Sequence, residues 1–434
     1  MRTKLLFLLF LFSSTTFAGV KIEQWQTRQG ARVLYVQSQS LPLVDIQLLF
    51  DAGSARDGQQ YGLAALTSDL LDTGAGQWNA DQIAQRLEKV GAKFSTSAGT
   101  DSATLTLRSL TEPALFNQAL DTMHLILTQP RFADSDFQRE KNQTLAGLKQ
   151  REESPAALAH LAFDKAVFGT HPYAYATTGY LNSVSALTSA DLKRFYQRYY
   201  VAANATIAIV GNLNRTQAEQ TAEKLLQGLP VGQKPDPLPE VNLPSKANQQ
   251  VITFPSSQTH ILIGLPGVTR KNDDYIPLYV GNYVLGGGSL VSQLFNEVRE
   301  KRGLAYSASS YLSPMVKSGA FVIGLQTKNE QTQQALTVVN DTVNNFINQG
   351  VTDEELAAAK KNITGGFVLR FDTNAKLLGY VSMIGFYDLP LDYLDTFPQR
   401  VEAVTAAQIK EAFTRRIRAN VFQTVTVGGA AAKK

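Results

Sequence analysis

Strict alternation of apolar and polar side chains marks the strands of this chain. Ala103-Thr-Leu-Thr-Leu-Arg-Ser109 alternates without a break, while Ala31-Arg-Val-Leu-Tyr-Val36 and Val44-Asp-Ile-Gln-Leu-Leu-Phe50 alternate in part and are rich in β-branched and aromatic residues. All three read as strands, and Ala205-Thr-Ile-Ala-Ile-Val210 joins them. Spacing of three and four marks the helices. Leu63, Leu66 and Leu70 share one face between Gly62 and Leu71, and Gly74 and Gly76 end that helix. Asp81 to Val90 is another. Phe116, Ala119, Leu120, Met123 and Leu127 define an amphipathic helix closed by Pro130. Asp136 to Glu153 and Pro155 to Phe168 read as helices, His171-Pro-Tyr173 as a loop, and Thr188 as the cap of a helix from Ser189 to Tyr200.

The same order of patterns then returns. Strand Ala103 to Ser109 resembles Gly319-Ala-Phe-Val-Ile-Gly-Leu325, and the helix ending at Gln129-Pro130 resembles the one ending at Gln349-Gly350. Ala133-Asp-Ser-Asp-Phe137 resembles Thr352-Asp-Glu-Glu-Leu356, and Leu187-Thr-Ser-Ala-Asp-Leu192 resembles Val404-Thr-Ala-Ala-Gln-Ile409. The separations are 218, 220, 219 and 217 residues, one register held across four elements. Between the copies, Pro230, Pro235, Pro237, Pro239 and Pro244 fall in a polar stretch that reads as an extended linker. These patterns predict two homologous α+β domains, at residues 19–229 and 250–434, joined by a linker at 230–249. Each is expected to be a mainly antiparallel sheet with helices packed on one face.

Composition narrows the compartment and the partners. Arg2 and Lys4, the uncharged run Leu5 to Phe12 and the small residues at Thr16 and Ala18 predict a signal peptide over residues 1–18, cleaved after Ala18. That apolar core is too short to span a bilayer, and no later stretch predicts a membrane helix. The protein is therefore expected in a periplasm or outside the cell. It has no cysteine, so neither disulfides nor a lipidated cysteine hold it, and stability must come from buried core. The formal charge of +4 falls to +2 without Arg2 and Lys4. Such a balance predicts no nucleic-acid partner, and Arg415-Arg416-Ile-Arg418 reads as a solvated helix face.

The candidate chemistry lies in the second half. Leu290, Leu294 and Val298 recur at helical spacing, predicting a helix from Leu290 to Arg302 that Gly303 stops. Arg299 falls in its last turn and Tyr306 at the start of the next strand. An Arg fork and a Tyr hydroxyl meeting over one corner can grip an extended peptide and donate to a carbonyl oxygen that gains charge during cleavage. A solvated Arg suited to the helix dipole, beside a half-buried strand Tyr, accounts for the same two residues structurally. Other chemistry finds little support. Gly286-Gly-Gly-Ser289 lacks the lysine and spacing of a phosphate loop, and Ser68 beside Asp69 has no activating base. His124, His160, His171 and His260 show no pair at ligand spacing.

With the duplication in view, the chain resembles the pitrilysin and insulinase family of zinc peptidases, in the branch related to mitochondrial processing peptidase. The resemblance rests on Gly30-Ala-Arg-Val-Leu-Tyr-Val36, Phe50-Asp-Ala-Gly-Ser54 followed by Gly62-Leu-Ala64, His171-Pro-Tyr173, and Val298-Arg-Glu-Lys-Arg-Gly-Leu-Ala-Tyr306 preceded by Leu285-Gly-Gly-Gly-Ser289. Active members carry His-x-x-Glu-His on the helix after the second strand, with a distant glutamate as third zinc ligand. Here the two histidine positions fall at Ala65 and Asp69, the base position at Ser68 and the distant ligand at Gly147. Glu140 matches a second acidic position of the family. The resemblance thus implies two peptidase-like domains, a degenerate zinc motif in the first, and Arg299 and Tyr306 as substrate-binding residues in the second. It implies no metal and no catalysis in this chain alone, and a homologous zinc-bearing subunit with which it cleaves peptides or unfolded proteins. The alternative is a non-proteolytic peptide-binding or assembly protein of the same fold.

Overall fold

The computed structural model describes residues 19–430. The signal peptide expected over residues 1–18 lies outside the described residues. In the first half, β1 (Glu23–Gln26), β2 (Arg32–Gln37), β3 (Leu43–Phe50), β4 (Lys93–Ala98), β5 (Ala103–Leu110) and β6 (Ala205–Gly211) form one sheet in the order β1-β2-β6-β3-β5-β4. Only β2 and β6 run parallel; the other neighbours are antiparallel. Leu48 stands opposite Leu105 on one side and Ile207 on the other, so the apolar positions of three strands share a face.

The longer helices of this half are α1 (Leu63–Asp69), α2 (Ala80–Glu88), α3 (Pro113–Thr128), α4 (Asp134–Glu152), α5 (Pro155–Phe168), α6 (Ser189–Tyr199) and α7 (Arg215–Leu226), with one further short turn of helix at Leu181–Ala186. Their starts are set by local chemistry. Asn79, Thr188 and Asn214 each close a capping box, satisfying backbone donors that a helix leaves free. α1, α2, α3, α6 and α7 bury their apolar stripes against Val33, Tyr35, Ile46, Leu48, Leu107 and Ile209 on one face of the sheet.

The second half repeats this plan. β7 (Asn248–Pro255), β8 (Gln258–Pro266), β9 (Ala305–Leu312), β10 (Ala320–Lys328) and β11 (Gln423–Ala430) form a sheet in the order β9-β10-β8-β11-β7, with β11 and β7 parallel. Taken from its other end, this is the order of β2-β6-β3-β5-β4. Its helices are α8 (Tyr275–Asn282), α9 (Thr332–Gln349), α10 (Asp353–Gly365), α11 (Asn374–Phe386), α12 (Tyr393–Glu402) and α13 (Ala406–Arg416).

Helices on one face describe what each half does with its own chain, and the other face is closed by a loan. α11 from the second half lies on the first sheet, where Val381 and Ile384 share a core with Leu34, Val36, Ala208 and Val210. The approach is close enough that a Cβ on Gly385 would come within 2.6 Å of Leu34 Cδ1. In return α5 lies on the second sheet, packing Ala159, Phe163 and Val167 against Leu262, Val322, Val425 and Val427. This exchange explains why β2, β3 and β6 are buried on both faces.

Polar contacts tie the halves as well. Asp101, in the β4–β5 turn, accepts from Tyr173 Oη at 2.6 Å, the Val316 amide at 2.9 Å and Tyr387 Oη at 3.2 Å. The segment before β7 has no regular structure but is docked. Pro230 and Val231 carbonyls accept from the Ala202 and Ala203 amides, and the Asp236 carbonyl accepts from Arg56 at 2.7 Å. His171 Nδ1 accepts from the Tyr173 amide at 3.1 Å while Nε2 donates to the Pro239 carbonyl at 3.0 Å, which fixes one neutral tautomer. Burial lowers its pKa in the same sense. The His-Pro-Tyr loop is thus a structural joint.

Candidate functional site

The first of two candidate corners is the outer end of α1, placed by a buried carboxylate. Asp57 accepts from the Gly62 amide at 2.7 Å and the Ala64 amide at 2.8 Å, anchoring the first turn, and burial pushes its carboxyl up to about 7. Leu63 and Leu66 seat the helix in the core. Ala65 is half-buried, Asp69 is open to solvent on one side, and Ser68 points inward with no exposed surface. Ser68 Oγ and Tyr200 Oη are both buried without a hydrogen-bond partner among the described residues. Gly147, on α4, is exposed, and a Cβ there would meet nothing within 4 Å.

Zinc does not fit this corner. Of the four motif positions, only Asp69 carries a group that can ligate a metal. Partial burial of its carboxyl, helped by the like charges of Glu140 and Asp72, pushes it up to about 6. Glu140 is held by Arg139 at 3.2 Å. No group of three or more ligating side chains among the described residues is placed to hold a metal ion. The histidines do not supply the ligands either: His124 Nδ1 lies 3.2 Å from the Leu225 carbonyl and His171 is the joint above, while His160 and His260 line one pocket on the second sheet without the third ligand a metal site needs among the described residues.

The second corner brings together what the first lacks. Its helix begins later than the sequence predicts: Ser289–Val291 is a single 3-10 turn and Ser292 is extended, so Leu290 and Val291 project into solvent, 66% and 69% exposed. Ser292 then caps the Gln293–Phe295 turn, which continues as a widened π turn over Asn296–Glu300. Leu294 and Val298 are buried as predicted. Gly303 ends the helix with φ of +62°, its amide bonding to the Arg299 carbonyl and the Leu304 amide to Val298. The reversal sets Tyr306 beside Arg299.

The Arg299 guanidinium lies 4.5 Å from the Tyr306 ring centre and 4.9 Å from that of Phe295, four residues before it. The basic neighbours are occupied elsewhere, since Lys301 and Arg302 both bind Glu297 at 2.6 Å and hold its carboxyl below the usual range. Glu300 reaches Arg299 Nε only at 3.7 Å, a contact between part-exposed groups worth little. Tyr306 is 82% exposed and stands at a bulge, where the pairing of β9 with β10 slips between Ala305 and Ala308. The two rings orient the guanidinium without using its hydrogen-bonding fork. Sequence reading placed Arg299 and Tyr306 together but missed Phe295; its spacing of four from Arg299 on one helix was the available signal.

Fold and site together describe a duplicated α+β scaffold in which the expected metal positions offer one ligating group and Arg299 and Tyr306 are in contact. Comparison with known proteins agrees. The family model described as insulinase (peptidase family M16) matches residues 32–179, and the peptidase M16 inactive domain matches residues 186–363. A solved structure of a peptidase M16 inactive domain from Pseudomonas fluorescens is 36% identical and superposes with a TM-score of 0.92, covering 96% of this chain and 99% of that one. The chain belongs to the M16, or insulinase, family. The non-peptidase homolog YmxG of Helicobacter pylori is 28% identical over 383 residues, 87% of each chain. The uncharacterized zinc protease YmxG of Bacillus subtilis is 25% identical over 360 residues, 82% of this chain and 86% of that one.

Proposed function

We propose that this chain is a non-catalytic, substrate-binding member of the M16 family that acts with a separate zinc-bearing M16 subunit. Names of relatives divide between non-peptidase homolog and zinc protease, so this chain's own residues must decide. The observation that carries the reading is the contrast between the corners: Ala65, Ser68, Asp69 and Gly147 offer one ligating group, whereas Arg299 and Tyr306 sit in contact and make no side-chain hydrogen bond among the described residues. In this reading Arg299 donates to a backbone carbonyl of an extended peptide, and Tyr306 donates to the scissile carbonyl as it gains charge. The partner holds the zinc and the general base. The leader expected over residues 1–18 places the pair outside the cytoplasm.

Peptidase activity of this chain alone, of its partner alone and of the mixture tests the proposal. Activity confined to the mixture is expected. There, Arg299→Ala and Tyr306→Phe should each lower kcat/KM about a hundredfold while leaving complex formation intact. Unchanged turnover in both variants would remove the assigned roles. A stable complex with no peptidase activity would instead favour a non-proteolytic binding or assembly protein.

A further inference from the structure

A second cavity, remote in sequence from Arg299 and Tyr306, lies in the second half between α8, α11, α12 and the turn at Phe367–Arg370. It has a volume of about 300 Å³, roughly twice that of a cavity that encloses benzene. Tyr275, Tyr279, Phe367, Tyr380, Tyr393 and Phe397 make its walls. Its charged lining is all of one sign: Arg270, Arg370 and Lys376, with no aspartate or glutamate. Aromatic walls with a few convergent polar groups are the usual composition of a small-molecule site.

The cations are not equivalent. Lys376 is bound to Asp372 at 2.8 Å, outside the lining, and Arg370 donates to Tyr279 Oη at 2.9 Å. Arg270 is the incomplete one. Its Nη2 makes a 3.3 Å bond to the Pro314 carbonyl, its guanidinium lies 5.0 Å from the Tyr387 ring centre, and its Nε is buried with no partner among the described residues. A buried guanidinium donor left unmatched is costly, and a carboxylate is the acceptor that its fork suits best. Access is open on one side. Gly379 faces the cavity from the middle of α11, and a Cβ there would meet nothing within 4 Å.

We propose that this cavity binds an apolar carboxylate, with an aromatic or branched body between the tyrosine and phenylalanine rings and its carboxylate on Arg270, assisted by Arg370 at the mouth. The same chemistry is presented by a free arylalkanoic acid and by the C-terminus of a peptide ending in an aromatic residue. The site is separate from Arg299 and Tyr306 and does not depend on the role given to them.

Calorimetric titration of the intact chain tests this with three probes: 3-phenylpropionate, the peptide Ala-Ala-Ala-Phe with a free C-terminus, and its C-terminal amide. Saturable binding of at least one acid is expected, with the peptide acid about tenfold or more tighter than its amide if the terminus is what is read. Binding of the peptide acid alone would identify a peptide terminus as the source, and of 3-phenylpropionate alone a free carboxylate. Arg270→Gln should weaken the bound acid about tenfold and abolish any advantage over the amide. Gly379→Leu should fill the mouth and weaken binding about tenfold without lowering Tm, because leucine is the better helix former in an open position. Arg299→Ala should leave the affinity unchanged. Neither acid binding, acid and amide binding alike, or Gly379→Leu binding as the unmodified chain does would each overturn the proposal.

Discussion

The α1 corner and the Arg299 corner differ in what the core asks of them. α1 is fixed from within: Leu63, Leu66 and Ser68 face the interior, and Asp57 holds the first turn. The helix therefore stays in place whatever its ligand positions carry. At the other corner Leu294 and Val298 do the anchoring, and Tyr306 contributes almost nothing to the core. A strand tyrosine so open to solvent is not explained by burial. Among the described residues, its ring lies against the Arg299 guanidinium. Packing thus accounts for the first corner and does not account for the exposure of Tyr306 at the second.

The harshest way to break this contrast is to rebuild the missing ligands. Ala65→His, Asp69→His and Gly147→Glu together should raise zinc affinity by about three orders of magnitude or more, read as metal retained after desalting. Failure would mean that α1 and α4 no longer hold the geometry, and that the corner has changed in backbone as well as in side chain. The roughly hundredfold loss of turnover expected for Arg299→Ala and Tyr306→Phe comes next, and the accompanying stability measurement sharpens it. Leu66→Ala should cost about 2–5 kcal/mol, whereas Tyr306→Ala should stay within about 0.5 kcal/mol. A large loss for Tyr306→Ala in denaturant unfolding would erase the distinction.

Two smaller effects probe the α1 corner alone. The folded pKa of Asp69, at about 6, lies above its ordinary carboxylate value. The native state therefore binds the extra proton, and stability should fall as pH rises from about 4 through 6 and then level off. Asp69→Asn should remove this slope, matching the unmodified chain near pH 4 and exceeding it by about 1 °C in Tm near pH 8. A Tm difference independent of pH would contradict the assignment. Ser68→Ala should be nearly neutral, within about 0.5 kcal/mol by denaturant unfolding, because the hydroxyl has no hydrogen-bond partner among the described residues.

Much of this was legible in the sequence, for reasons that particular residues make plain. β5 alternates so cleanly because its partners on both sides fix one apolar face, and Thr188 marks the start of α6 because a threonine oxygen there satisfies a free amide. The register between halves reported a duplication that the two sheet orders repeat. Local signals failed where distant contacts decide. Leu290 and Leu294 share a helical spacing, yet Ser292 breaks the helix between them and turns Leu290 outward. Phe295 carried no predicted role, and its ring is one of the two that lie against the Arg299 guanidinium. The arrival of α11 on the first sheet has no local mark: Leu377, Leu378, Val381, Ile384 and Gly385 form the single apolar face of an ordinary surface helix, and nothing in that stripe says which sheet it meets.

The exchange of α5 and α11 also sets an order of events at birth. While the first half is made, the face of its sheet bearing Leu34, Val36, Ala208 and Val210 has nothing to cover it. That cover is encoded far downstream, in Asn374–Phe386. Until those residues emerge, a nascent chain carries a greasy, hydrogen-bonded platform that neighbouring chains can join. Fragments truncated before Asn374 should keep this face bare and aggregate where the full chain does not, which light scattering would detect.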